Sequence, residues 1–383
     1  GTGAVATAHT SNTVEASITG ASDVLARDDV SLSASDLSEI DSTVVAASFA
    51  ASGSGGIAMN FTLAVSDAHN RFDTVVRSAI DASNVISQTG DVTLDALSDA
   101  SVKTLSIGAS ASAGGSGAFS MNVSGAGAIV TSTASNLTEA VIRGDSDVNA
   151  AGNVVLTAAD DTLIDTDVVA ASFSAGGSGV VAMDFALSAV TAVTDVMTTV
   201  SAKIDDSSVL AGGDVILDAD ATTEVDSFGT GASFALNGSA TVAISGAGIA
   251  AVIVNNLATT VEAIIVDSDL AEGQGVSAGA NVRLSATDDL SVTADALAAS
   301  VSFSASIVPI SVSVSSATAI NTATGSTRAG IINSLVDANG GELRVSADSS
   351  SLLVSKPDAY AVGIAVGIGG AGSGSGTVAT NVS

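Results

Sequence analysis

Three aspartate pairs are the residues in this sequence best suited to chemistry: Asp160 with Asp161, Asp205 with Asp206, and Asp288 with Asp289, with Asp165, Asp167, Asp218 and Asp220 close by. Paired carboxylates can contribute to the six to eight oxygens that calcium takes, or flank a sugar bond as acid and base. Calcium is therefore the cofactor to consider, with those six residues as its candidate ligands. Against it, the Gly-Gly-x-Gly-x-Asp calcium nonapeptide is absent and the aspartates shift position along the chain, which favours solvated turns. Catalysis needs one distinctive constellation, whereas carboxylates are spread throughout, so the expectation is that this chain is not an enzyme. His9 and His69 lack neighbouring ligands. The glycine-rich stretch 53–56 lacks the Lys-Ser or Lys-Thr of a phosphate loop and reads as a turn. Asn-x-Ser/Thr occurs at Asn60, Asn122, Asn136, Asn237 and Asn381. Of these, Asn60, Asn122 and Asn381 share the position after a glycine-rich turn, the line on which sugar is expected if the source glycosylates.

Composition narrows the remaining classes. Cysteine is absent, which excludes disulfides, thiolate metal sites and cysteine nucleophiles. Ten Lys and Arg stand against forty Asp and Glu, a formal charge of -30 that repels nucleic acid and anionic lipid. The 46% hydrophobic content includes only 3% aromatics, so it is mostly Ala and Val, suited to thin, closely stacked layers. Thirty-nine glycines and two prolines, Pro309 and Pro357, fit many turns between unbroken strands. No run of 18 apolar residues suggests a membrane helix, and no direct membrane insertion is expected. The most apolar window, 241–254, reads as a strand buried on both faces. No basic leader with a cleavage site is present, so an export signal is expected outside this chain or already removed.

The elements that carry these residues repeat. Gly213-Asp214-Val215-Ile216-Leu217-Asp218-Ala219 has relatives at 29–34, 91–96, 153–158, 281–286 and 342–347, anchored at Leu32, Leu94, Leu156, Leu217, Leu284 and Val345. The spacing is close to 62 residues, with one longer gap attributed to an insertion at 272–276. A fixed period of this kind marks stacked supersecondary units. Each unit reads as about four strand-like runs; in the third these are 167–174, 180–190, 199–204 and 209–217, with turns at 175–179 and 205–208. Phe49, Ala111, Phe173 and Phe234 share one position. Residues 374–383 followed by 1–5 match 115–129, so the chain reads as closing on its own repeat, and head-to-tail continuation with further copies, covalent or assembled, is expected.

The Ala211-Gly212-Gly213-Asp214-Val215 strand motif, with the Val168-Val169-Ala170-Ala171-Ser172 strand and the Gly176-Gly177-Ser178-Gly179 turn, resembles repeats of large bacterial filamentous adhesins of the leukotoxin-like and filamentous-haemagglutinin-like groups. That resemblance implies an exported, cell-surface β-solenoid. The expectation is therefore an all-β solenoid of about six stacked ~62-residue repeats, uncapped at both ends, spanning 1–383 as one repeat domain. One rung per repeat is preferred to two coils, because Leu and Phe then stack on their own equivalents. The function expected is a structural, surface-exposed fibre segment. The alternatives are an adhesive module for glycan or protein, for which Phe61, Phe72 or the Glu272 loop are the candidates, and a calcium-dependent rigid linker.

Overall fold

The computed structural model describes residues 1–268, 275–368 and 370–382, the side chain of residue 373 excepted. Among them every element is a β-strand and every pairing is parallel. Seven strands form sheet A: β1 (Thr2–Thr19), β4 (Ile57–Asp81), β7 (Phe119–Arg143), β10 (Val181–Asp205), β13 (Val242–Val266), β16 (Val308–Ile332) and β19 (Gly370–Val382). Sheet C holds β3 (Val30–Ser54), β6 (Val92–Ser116), β9 (Val154–Ser178), β12 (Val215–Ser239), β15 (Val282–Ala305) and β18 (Leu343–Val366). A narrow sheet B closes one end with β2 (Asp23–Ala26), β5 (Asn84–Ser87), β8 (Asp147–Ala150), β11 (Ser208–Ala211), β14 (Gly275–Ala278) and β17 (Val336–Ala338). The chain runs C, A, B and then steps down one rung.

The molecule is thus a β-solenoid with one rung per repeat, as expected from the stacking of the leucines. Leu32 pairs with Leu94, Leu94 with Leu156, Leu156 with Leu217, Leu217 with Leu284 and Leu284 with Val345. A 25-residue strand extends roughly 80 Å at about 3.3 Å per residue, whereas rungs rise only about 4.8 Å. Each rung is therefore a flattened loop, broad across the axis and thin along it. The two long runs per rung had looked like several shorter ones because Gly, Ser and Asp interrupt them. In the third rung β9 continues through Gly176 and Gly177 to Ser178, so the turn is 179–180. The stretches 180–190 and 199–204 belong to the single strand β10.

Period-two alternation decides what is inside. Near sheet B three ladders converge: the leucines of sheet C; Ile18, Ile80, Ile142, Ile204, Ile265 and Ile331 of sheet A; and Val24, Val85, Val148, Val209, Val276 and Val336 of sheet B. Burying one such side chain contributes about 1.5–3 kcal/mol. Because neighbours along the axis are the same residue, each layer meets a surface of its own shape. Phe72 is fully buried against Ile40, Ala100 and Ala134 farther along the sheets.

Side-chain ladders satisfy the two corners beside sheet B. After each sheet A strand comes a left-handed residue, such as Ala82, Asp145, Asp206 or Asp267, then a serine. Each serine hydroxyl accepts the amide of its counterpart in the preceding rung: Ser22 N–H to Ser83, Ser83 to Ser146, Ser146 to Ser207, Ser207 to Ser268 and Ser268 to Ser334, at 3.1–3.3 Å. At the opposite corner, Asp or Asn carboxyl or amide oxygens accept the amide of the next rung: Asp91 N–H to Asp29, Asn153 to Asp91, Asp214 to Asn153, Asn281 to Asp214 and Glu342 to Asn281. That is why Asp or Asn recurs just before the Val-x-Leu anchor. It meets an orphan backbone donor that a tight corner cannot pair within the ladder.

Two register findings correct the sequence reading. Asn381 pairs with Asn321, not with the line containing Asn122, so 374–376 lies inside β19 and is not a turn. Of the proposed insertion, Gly275 and Val276 are part of β14, paired with Ser208 and Val209. The Glu272 loop itself lies outside the described residues.

Candidate functional site: an apolar edge over a polar interior

The candidate calcium ligands do not converge. Adjacent residues in a strand point to opposite faces, so Asp160 and Asp288 face the interior while Asp161 and Asp289 face solvent. Asp205 ends β10 and Lys203 pairs with it at 2.7 Å, while Asp206 is the left-handed corner residue. No group of three or more His, Asp or Glu suited to a metal exists among the described residues. Asp160 accepts from Thr162 Oγ1 at 2.7 Å, and burial nevertheless pushes its carboxyl up from the ordinary range. Asp288 is raised the same way.

Outside, in-register stacking sets carboxylates one above another along the middle of sheet C. Asp161 lies beside Asp99, and Asp165 beside Asp226. Partial burial and then these like charges raise Asp161, Asp167, Asp220 and Asp226. His9 and His69 are both exposed and occupy different columns; His69 faces Asp67 at 3.0 Å.

The glycosylation line is internal. Asn60 and Asn122 are buried, and an amide ladder joins them: Asn60 Nδ2 donates to Asn122 Oδ1 at 2.7 Å, and Asn122 Nδ2 to Asp184 Oδ1 at 2.7 Å. Asn136 and Asn237 are also buried, donating to Thr162 Oγ1 and to the Ile244 carbonyl. A sugar at any of these four needs an opened stack. Asn381 is exposed beneath Asn321, and Ser355 Oγ donates to its Oδ1 at 2.5 Å.

That ladder belongs to the end of the rung away from sheet B, where the usual polarity is inverted. Inside lie hydroxyls, amides and the buried Asp184: Ser110 meets Ser124 at 2.6 Å, Ser302 meets Ser311 at 2.7 Å, and Ser188 donates to Ser172 at 2.9 Å. Gly176, which had read only as a turn residue, and Gly114, its partner on the neighbouring rung, make room here. A Cβ at Gly114 would lie 2.4 Å from Asn122 Oδ1, and one at Gly176 2.4 Å from Asn122 Nδ2 and 2.5 Å from Asp184 Oδ1. Burial raises Asp184 to about 7, against the lowering effect of Asn122 and Ser174; its Oδ2 has no partner among the described residues.

No family model, curated protein or solved structure matches this chain. Over this polar interior the outer surface is apolar.

On sheet A the outward columns nearest the turn run Ile57, Phe119, Val181, Val242, Val308; then Met59, Met121, Met183, Ile244, Ile310; then Phe61, Val123, Phe185, Gly246, Val312; then Leu63, Gly125, Leu187, Gly248, Val314. None carries charge, and Ile57, Met59, Phe61, Leu63 and Leu187 are more than half exposed. The window 241–254 is therefore not buried on both faces: its outward residues form part of this panel. On sheet C the phenylalanine column also points out, so Phe49, Phe173 and Phe234 line a shallow groove with Ala47, Ala109, Ala111 and Ala171. Of the two aromatics singled out from sequence, Phe61 is on this surface and Phe72 is core. The phenylalanine column stacks in register as expected, and it does so on the outside, since alternation defines two faces without saying which is inside when the inner one carries Ser and Asn.

Proposed function

We propose that this chain is a structural segment of a long, surface-exposed, extracellular β-solenoid of the kind its motifs resemble, acting without catalysis. The observation that carries this reading is the unbroken register: from β3 to β18 in sheet C and from β4 to β16 in sheet A each long strand pairs along essentially its full length with the next rung, an arrangement to which further rungs of the same kind can be added. About 62 residues per ~4.8 Å of rise is a poor ratio for length alone. It yields a broad ribbon, which suits a sheath or wall better than a thin stalk. The acidic outer stripe keeps such ribbons soluble and off anionic surfaces.

A glycan-binding module is less well supported. The sheet C groove carries aromatic rings, but Ser48, Ser110 and Ser172, which fall within it in sequence, sit at inward positions, and sugar recognition needs polar groups placed among the rings. A calcium-dependent linker is weakened by the split of Asp160 from Asp161 and of Asp288 from Asp289 across the sheet, and by the pairing of Asp205 with Lys203.

In native material, negative-stain images are expected to show ribbons roughly 80 Å broad, and antibodies against this segment to label intact cells without permeabilisation. Labelling only after lysis, or isolated compact particles with no axial continuation, would count against the proposal.

A further inference from the structure

We infer that the charge-free panel on the outer face of sheet A is a docking surface for a second copy of this chain, face to face. The inference concerns sideways association and does not rest on the fibre reading, which concerns growth along the axis. A partner for this panel must present an uncharged apolar face, since burying an unpaired charge is costly. On a chain of net charge -30, sheet A's own panel is the broad face that meets this requirement. The sheet C groove sets its three phenylalanines among alanines and has Asp167 on the same outward face of β9 as Ala171 and Phe173.

The relief of the panel supports self-docking. Larger and smaller side chains alternate on successive rungs: one column reads Leu63, Gly125, Leu187, Gly248 and its neighbour Phe61, Val123, Phe185, Gly246. The large residues lean across the glycines. A Cβ at Gly246 would come within 2.8 Å of Phe185 Cδ1, one at Gly248 within 3.0 Å of Leu187 Cδ2, and one at Gly125 within 3.1 Å of Leu63 Cδ1. These glycines keep an outward surface level, and in each case the nearest atom belongs to another outward side chain. A level apolar sheet face is what packs on a second sheet about 10 Å away.

A two-fold axis lying in the interface, parallel to the strands and between β10 and β13, makes the panel complementary to itself. It sets β10 on the partner's β13, β16 on β7 and β4 on β19, so Phe185 and Leu187 meet Gly246 and Gly248, Phe61 and Leu63 meet Gly372 and Gly374, and Val314 meets Gly125. With the next uncharged column, Val65, Gly127, Ala189, Ala250 and Ser316, and the outward Gly370, Gly372, Gly374 and Gly376 of β19, the panel is nine residues by six rungs, roughly 30 by 29 Å or about 850 Å² per copy, against the roughly 800 Å² per partner of a stable interface.

The test is sedimentation equilibrium of the 383-residue chain over a concentration series reaching about 100 µM. The expected result is twice the chain mass, with tighter association at higher salt because screening relieves the mutual repulsion of two acidic bodies. The outward variant Phe185→Glu/Leu187→Glu is expected to weaken association at least about tenfold with an unchanged melting temperature, while Asp165→Lys on the opposite sheet leaves it intact. Three outcomes would overturn the inference. The wild-type chain could stay monomeric throughout, or the double variant could associate like the wild type, which assigns the contact to another surface. Alternatively, a monomeric wild-type chain could float with neutral phosphatidylcholine vesicles in a Phe185-dependent way, which assigns the panel to lipid.

Discussion

Asp184→Asn is expected to stabilise the protein at pH 8 by up to about 4 kcal/mol and to do little at pH 4. The size follows from a carboxyl raised from 3.8 to about 7 in the folded state, at about 1.4 kcal/mol per unit. The sign follows from proton binding. Between about pH 4 and 7 the folded chain keeps a proton on Asp184 that the unfolded chain has released, so stability falls as pH rises through that window and is level above it. Asparagine is neutral throughout, fits the same volume and continues the amide ladder from Asn60 and Asn122. Chemical denaturation of both proteins across pH 4–8 reads the effect directly. Two parallel stability curves would mean that Asp184 is ionised inside the fold.

The second large effect concerns the interior leucine ladder. Leu156 is fully buried between Leu94 and Leu217, so Leu156→Ala is expected to cost about 3–5 kcal/mol through lost burial and the cavity left between layers that cannot collapse. Leu97→Ala, on the solvent side of the neighbouring rung and 43% exposed, should stay within about 0.5 kcal/mol of the wild type. Urea midpoints at constant slope give both numbers. Equal losses at the two positions would contradict the assignment of faces.

The sequence made the period and the anchor residues legible because a one-residue slip would turn every side chain over. Leucine, isoleucine and corner Asp or Asn therefore recur with their rung. The Asp and Asn of the anchor motif were visible as a pattern, yet their role as acceptors for the next rung's amide was not, since the donor lies some 61–67 residues away. Which face is inside was legible only near sheet B, where outward positions such as Asp95 and Asp218 are polar and inward ones apolar. At the far end the outward Met183 and Phe185 are more apolar than the inward Asp184 and Ser188. There the hydrophobic pattern by itself points the wrong way, which is why Asn60 and Asn122 passed for surface acceptors and the panel was missed. The alternation of Gly246 with Phe185 was the available signal, because glycine inside a strand marks close approach by a neighbour.

The claim on which these arguments depend is one rung per repeat. It can be tested with spin labels at Glu39→Cys and Ser291→Cys, in a chain with no native cysteine. Both sites face outward in one column of sheet C, linked through Ser101, Leu163 and Glu224. They are four rungs apart, so pulsed dipolar spectroscopy should give a backbone separation of about 19 Å. Two coils per repeat would double the number of layers between them and give about 38 Å, and that result would contradict the fold and the panel together.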